Sequence, residues 1–70
     1  MDLIIKSANF VNQFNDLSKD DLNVSLELSL NGLILSFRES TFLLSRMKIK
    51  DGHDLENFIY FCNKVREKGE

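Results

Sequence analysis

The chain predicts an α+β fold: a two-layer sandwich in the order α-β-β-β-α, with a three-stranded antiparallel meander carrying both helices on one face. Three observations predict it. Leu22, Val24, Leu26, Leu28 and Leu30 alternate with Asn23, Ser25, Glu27 and Ser29, the period of a strand with one buried and one wetted face. Asn31-Gly32 follows, a strong hairpin signal. Apolar residues recur at helical spacing in both end segments. The 70 residues read as a single domain, 1–70.

The first element is a helix from Asp2 to about Leu17, with Asp2 as its expected N-cap. Leu3, Phe10, Phe14 and Leu17 form one stripe, flanked by Ile4 and Val11. Lys6, Asn9, Asn12, Gln13 and Asp16 take the opposite side, where Ile5 is an apolar outlier. Ser18-Lys19-Asp20-Asp21 is a polar connection. A type I′ turn at Asn31-Gly32 then sets Leu30 against Leu33, Leu28 against Leu35 and Leu26 against Phe37. On the other face it sets Ile34 against Ser29, Ser36 against Glu27 and Arg38 against Ser25.

The third strand runs from about Thr41 to Lys50, and its pattern is mixed. The odd set Leu43, Ser45, Met47 and Ile49 is assigned to the core, because the even set would bury Arg46 and Lys48 unpaired. This requires an odd-length turn or bulge near Glu39-Ser40-Thr41, with Leu43 beside Phe37. Asp51-Gly52-His53-Asp54 breaks the strand, and Asp51 or His53 begins the last helix. Leu55, Phe58, Ile59, Cys62 and Val65 make its buried stripe, with Tyr60 nearly opposite and Phe61 at the edge. Lys64, Arg66 and Lys68 suit the C-terminal end of the helix dipole, and Gly69 suits C′. Phe14, Leu28, Leu35, Phe58 and Cys62 are expected in one core.

So short a chain buries only about 60% of its unfolded surface, and its core supplies roughly 3–5 kcal/mol. A single Cys excludes an internal disulfide, and one His with one Cys falls short of a four-ligand zinc site. Packing or self-association is left as the stabiliser. With 43% hydrophobic residues and a net charge of −2, the chain is unlike a disordered one. The same charge argues against general nucleic-acid binding, and it lacks the acidic load of a DNA mimic. No apolar run approaches the ~20 residues of a membrane span. The start MDLIIKSANF lacks the basic and apolar regions of a signal peptide. A lone Cys fits a reducing compartment, so a cytoplasmic location is expected.

Candidate chemistry is sparse. The carboxylate pairs Asp20-Asp21 and Asp51/Asp54 sit at element ends, where Asp caps and turns. Cys62 lies on a buried stripe, where Cys packs as a small hydrophobe. His53 sits in a helix-start loop. No phosphate-binding loop, dinucleotide fingerprint or H-E-x-x-H motif occurs. No catalytic residue, cofactor or metal is expected, and the chain reads as non-enzymatic.

The surface carries more information. Arg38, Arg46 and Lys48 share the outer sheet face with Phe42, and Lys50 follows. They read first as a solvated face with edge charges. Ile34, Phe42 and Leu44 also point away from the helices; were the even set the core, Leu43, Met47 and Ile49 would do so with Ile34 instead. Either arrangement leaves an apolar cluster outside, the mark of an interface. The expected partner-binding residues are Ile34, Arg38, Phe42, Leu44 and Arg46, with Tyr60 as an outlier on the helical side. A homodimer and a host protein are the expected partners.

The short length, the amphipathic segment Leu3–Leu17, the Asn31-Gly32 hairpin and the final helix Leu55–Val65 resemble the small inhibitors that phages and mobile elements encode, among them a class of anti-CRISPR proteins with α-β-β-β-α order. The resemblance implies a protein that binds and inhibits or regulates a host protein in the bacterial cytoplasm. Nine basic residues against eleven acidic ones depart from the DNA-mimicking members. The alternative is a nucleic-acid-associated regulator using Arg38, Arg46, Lys48 and Lys50.

Overall fold

The structure, a computed structural model, describes residues 2–18 and 21–68. The elements are α1 (Asp2–Leu17), β1 (Leu22–Ser29), β2 (Gly32–Glu39), β3 (Phe42–Ile49) and α2 (Gly52–Lys68). The sheet is an antiparallel meander in the order β1-β2-β3. The expected α+β sandwich is therefore the fold observed.

Five of the six phenylalanines hold the two layers together. Phe58 of α2 meets Phe10 of α1 at 6.4 Å, and Phe10 meets Phe14 at 5.6 Å. Phe14 then meets Phe37 of β2 edge-to-face at 5.6 Å, and Phe37 meets Phe61 of α2 edge-to-face at 6.0 Å. The circuit runs from α2 through α1 and β2 back to α2. Since Phe37 touches both helices, both lie on one face of the sheet. Edge-to-face pairs contribute about 0.5–1.5 kcal/mol each beyond the area they bury. Around them Leu22, Val24, Leu33, Leu35, Ile49, Leu55 and Cys62 complete the core.

The helix ends follow local chemistry. Asp51 Oδ1 accepts the Asp54 N–H at 2.9 Å, and Asp54 Oδ2 accepts the Lys50 N–H at 3.0 Å. This reciprocal cap starts α2 at the expected place. At the end of α1, the Ser18 N–H and hydroxyl both donate to the Phe14 carbonyl, at 3.0 and 2.8 Å. Asp2 lies in the first turn of α1 and is not its N-cap. Leu17, expected on the buried stripe, is exposed in the last turn. Gly69, Lys19 and Asp20 lie outside the described residues.

The first hairpin corrects the expected register. Leu28 pairs with Leu33, Leu26 with Leu35 and Val24 with Phe37. On the outer face Glu27 pairs with Ile34, Ser25 with Ser36 and Asn23 with Arg38. The turn residues are Leu30-Asn31, and Gly32 is already paired, with Ser29. Gly32 carries φ +110°, while neither Leu30 nor Asn31 has a positive φ, which excludes type I′. The register differs by two residues, so every side chain keeps its face. Leu28, however, moves out of the centre to a pairing near the turn, where it is 59% exposed instead of buried in the core.

The third strand brings a second correction. Phe37 pairs with Ser45 and Arg38 with Leu43, so Leu44 is an extra residue and β3 is bulged there. Ser45, Met47 and Ile49 face the core side as expected, but Leu43 is not beside Phe37. It lies opposite Arg38, on the outer face. Beyond the bulge the alternation is reversed, and Phe42 pairs with Glu39 on the helix-bearing face. The β2–β3 turn is tied down by Ser40, whose N–H and hydroxyl donate to the Asp21 carbonyl and carboxylate, each at 2.9 Å. Ser40 holds φ 55° to do so.

Two outcomes test this register. Gly32→Val should lower the urea midpoint by the equivalent of about 1–3 kcal/mol, because a β-branched residue resists positive φ and its Cβ would meet Lys48 Cε at 3.1 Å. Leu35→Ala should cost about 2–5 kcal/mol, and Leu28→Ala about 0.5 kcal/mol or less. Equal costs at the two leucines would restore the pairing of Leu28 with Leu35.

Candidate functional site

The outer face of the sheet is built from Asn23, Ser25 and Glu27 of β1, Ile34, Ser36 and Arg38 of β2, and Leu43, Arg46 and Lys48 of β3. Ser36 stands at its centre and is buried although no helix covers it. A small side chain there lets the long ones on either side lie across it. Arg46 Nη2 reaches Glu27 Oε1 at 3.7 Å, spanning β2 from one edge strand to the other. Both partners are more than half exposed, so the pair is worth at most about 1 kcal/mol. Arg38 Nη1 donates to Ser25 Oγ at 3.2 Å.

Four of the expected partner-binding residues, Ile34, Arg38, Leu44 and Arg46, come together on or beside this face. Two do not. Phe42 is carried to the other face by the bulge, and Tyr60 lies on α2, where the Lys64 ammonium sits 5.4 Å from its ring centroid. The outer apolar residues are therefore Ile34, Leu43 and Leu44. No aromatic ring belongs to the outer face among the described residues. Sheet readers of RNA stack bases on such rings, so Arg38, Arg46 and Lys48 lack the companion that Phe42 was expected to provide.

The two sheet edges differ. On β1, Asn15 of α1 pairs with the backbone of Val24 as another strand would: Nδ2 donates to the Val24 carbonyl at 3.0 Å, and Oδ1 accepts the Val24 N–H at 2.9 Å. On β3, no side chain among the described residues hydrogen-bonds to the backbone of Phe42–Ile49. The start of that open edge carries Phe42, Leu43 and Leu44, exposed by 76%, 47% and 39%. Phe42 is the one phenylalanine outside the aromatic circuit.

The helical layer has a groove that the sequence reading did not single out. It encloses about 400 Å³ between Lys6, Asn9, Phe10, Gln13 and Phe14 of α1 and Ile59, Asn63 and Arg66 of α2. The Arg66 guanidinium lies 4.9 Å from the Phe14 ring centroid, and its Nη2 donates to Asn63 Oδ1 at 3.1 Å. Lys6, Asn9 and Gln13 share one polar stripe of α1, a signal visible in the sequence. That this stripe faces Asn63 and Arg66 required the helix pairing.

Asp51 and Asp54 cap α2. His53 is exposed in the first turn of α2. Cys62 is fully buried, and burial pushes its thiol up from 9.0 to about 12 against a smaller opposing pull from Arg66. Ser7 is buried on α1, and its hydroxyl has no hydrogen-bond partner among the described residues. No group of three His, Cys, Asp or Glu side chains gathers to hold a metal among the described residues. No helix among them is long and apolar enough to cross a membrane. No family model matches the chain, and neither a curated protein nor a solved structure matches it.

Cys62 supplies a test of the core. An unfolded chain loses this proton near 9.0, whereas the folded one keeps it until about 12. The folded state thus binds the extra proton between those values, and its stability should fall as pH rises from 9.0 toward 12. At pH near 8, a thiol reagent should label the native protein far more slowly than the urea-unfolded chain. Equal rates would mean that Cys62 is open to solvent.

Proposed function

We propose that this chain is a small non-enzymatic interaction protein that binds another protein and inhibits or regulates it. Its contact surface is the open edge of β3 with Phe42, Leu43 and Leu44, continued by Ile34, Arg38 and Arg46 on the outer face. The observation that carries this reading is the exposed apolar run at an uncovered strand edge, in a chain whose other phenylalanines all join one circuit. Small proteins blunt or cover such edges unless the edge is used. Strand addition fits the geometry: the backbone of β3 provides hydrogen bonds and the apolar run provides side-chain contacts. Each large apolar group buried there contributes roughly 1.5–3 kcal/mol before the costs of association.

A second copy of the chain is one such partner. Antiparallel pairing of two β3 strands about Leu43 would set each Phe42 against the Leu44 of the other copy, bring the apolar runs together, and keep each Arg46 and Lys48 away from its counterpart. A host protein would use the same edge. The inhibitory sense of the reading, and a place in a bacterial cytoplasm, rest on the architectural likeness to phage-encoded inhibitors. The nucleic-acid alternative is the weaker one, since the basic outer face has no stacking ring.

Sedimentation tests the site. Wild type should be dimeric at high concentration, and Phe42→Glu should shift it to monomer with unchanged circular dichroism. In capture from a lysate, proteins held by wild type should be lost by Phe42→Glu. A monomeric wild type whose captured partners are also held by the variant would remove this edge from the assignment.

A further inference from the structure

We propose that the groove between α1 and α2 is a binding site for a small organic anion: a carboxylate carried on a flat aromatic or branched aliphatic body. The site lies on the layer opposite the outer sheet face and owes nothing to the β3 edge. Its failure and the failure of the interaction reading are therefore separate results.

The lining has two parts with different chemistry. Phe10, Leu17 and Ile59 make apolar walls above the buried Phe14, and Lys6, Asn9, Gln13, Asn63 and Arg66 make a polar rim. The chain as a whole has more acidic than basic residues, eleven against nine. Yet no carboxylate lines the groove, and two cations do, one from each helix. A volume near 400 Å³ falls in the range of small-molecule sites, roughly 300–1,000 Å³. Inorganic ions would leave the apolar walls unused, while a neutral apolar molecule would leave both charges unanswered.

Arg66 is the group that recognises the anion. It is half-buried, which removes part of its hydration. Among the described residues no carboxylate lies within 4.0 Å of it, the ion pair there being Arg46 with Glu27. Its plane is already held, by the Phe14 ring at 4.9 Å and by the Asn63 amide oxygen at 3.1 Å. Only one N–H is committed to that amide. The other donors of the guanidinium keep the fork geometry that matches a carboxylate. Lys6 provides a second positive charge from the facing wall, and the Asn9 and Gln13 amides provide further donors. An anion seated there meets a guanidinium whose plane is fixed before it arrives, which lowers the ordering cost of that contact. Its body rests against Phe10, Leu17 and Ile59.

The test is a nuclear magnetic resonance titration of the ¹⁵N-labelled full chain with 4-phenylbutyrate. Its neutral amide, 4-phenylbutyramide, and inorganic phosphate serve as comparison ligands. Saturable shifts are expected at the Asn9, Gln13 and Asn63 side-chain amides and at the backbone amides of the facing turns. The neutral amide should bind on the order of tenfold more weakly, as should 4-phenylbutyrate to Lys6→Gln. Gln13→Glu, which places a carboxylate in the groove, should weaken binding by a similar factor. Lys6 and Gln13 are exposed, so both variants keep the fold, and their melting curves verify this. Absence of saturation, shifts centred outside the groove, or equal affinity for the neutral amide would overturn the proposal. Phosphate binding as tight as that of 4-phenylbutyrate would also overturn it, since the apolar walls would then play no part.

Discussion

The edge-to-face contacts of Phe37 with Phe14 and Phe61 are the constraint on which the rest of the structure depends. One ring in the central strand meets one ring from each helix. Such rings attract at centroid separations of roughly 4.5–7 Å, and both contacts lie in that interval. Two helices held to one ring must share one face of the sheet. Among the described residues no further element covers the other. The division into a covered face and an open one thus follows from a single buried side chain that both helices share.

Once the sheet is one-sided, its outer face and its edges must be reconciled with water. The outer face does this with polar side chains, a buried central Ser36, and the crossing of Arg46 toward Glu27. The β1 edge does it with Asn15, whose amide takes the place of a neighbouring peptide at Val24. The β3 edge has no equivalent among the described residues, and its bulge gathers three large apolar residues where a neighbour could pair. A side-chain-capped edge and an uncapped one therefore stand on opposite sides of the same small sheet.

The helical layer makes a different compromise. Cys62 and Phe58 belong to the core, and burial pushes the Cys62 thiol up to about 12. Arg66, one turn beyond Cys62, cannot enter that core as a charge. It lies on the Phe14 ring instead, capping the aromatic circuit from outside. The same placement puts a guanidinium at the head of the interhelical groove. One residue thus closes the core and defines the polarity of the surface above it.

Much of this was determined by the sequence alone. Period-2 alternation marks β1, helical spacing marks α1 and α2, and Asp51 with Asp54 marks the start of the last helix, because each signal is a property of neighbouring residues. The burial of Phe14, Leu35, Phe58 and Cys62 follows from the same periods. Only the tertiary structure decided the rest. A hairpin that slips by two residues keeps every side chain on its face, so the alternation fits either register, and the structure adopts the one that exposes Leu28. A bulge at Leu44 reverses the alternation only beyond itself. Where it falls depends on what Phe37 and Arg38 meet across the strand, and this carried Phe42 off the outer face. The groove joins Lys6 to Arg66 from opposite ends of the chain. No local pattern links two such residues; the packing of one helix against another does.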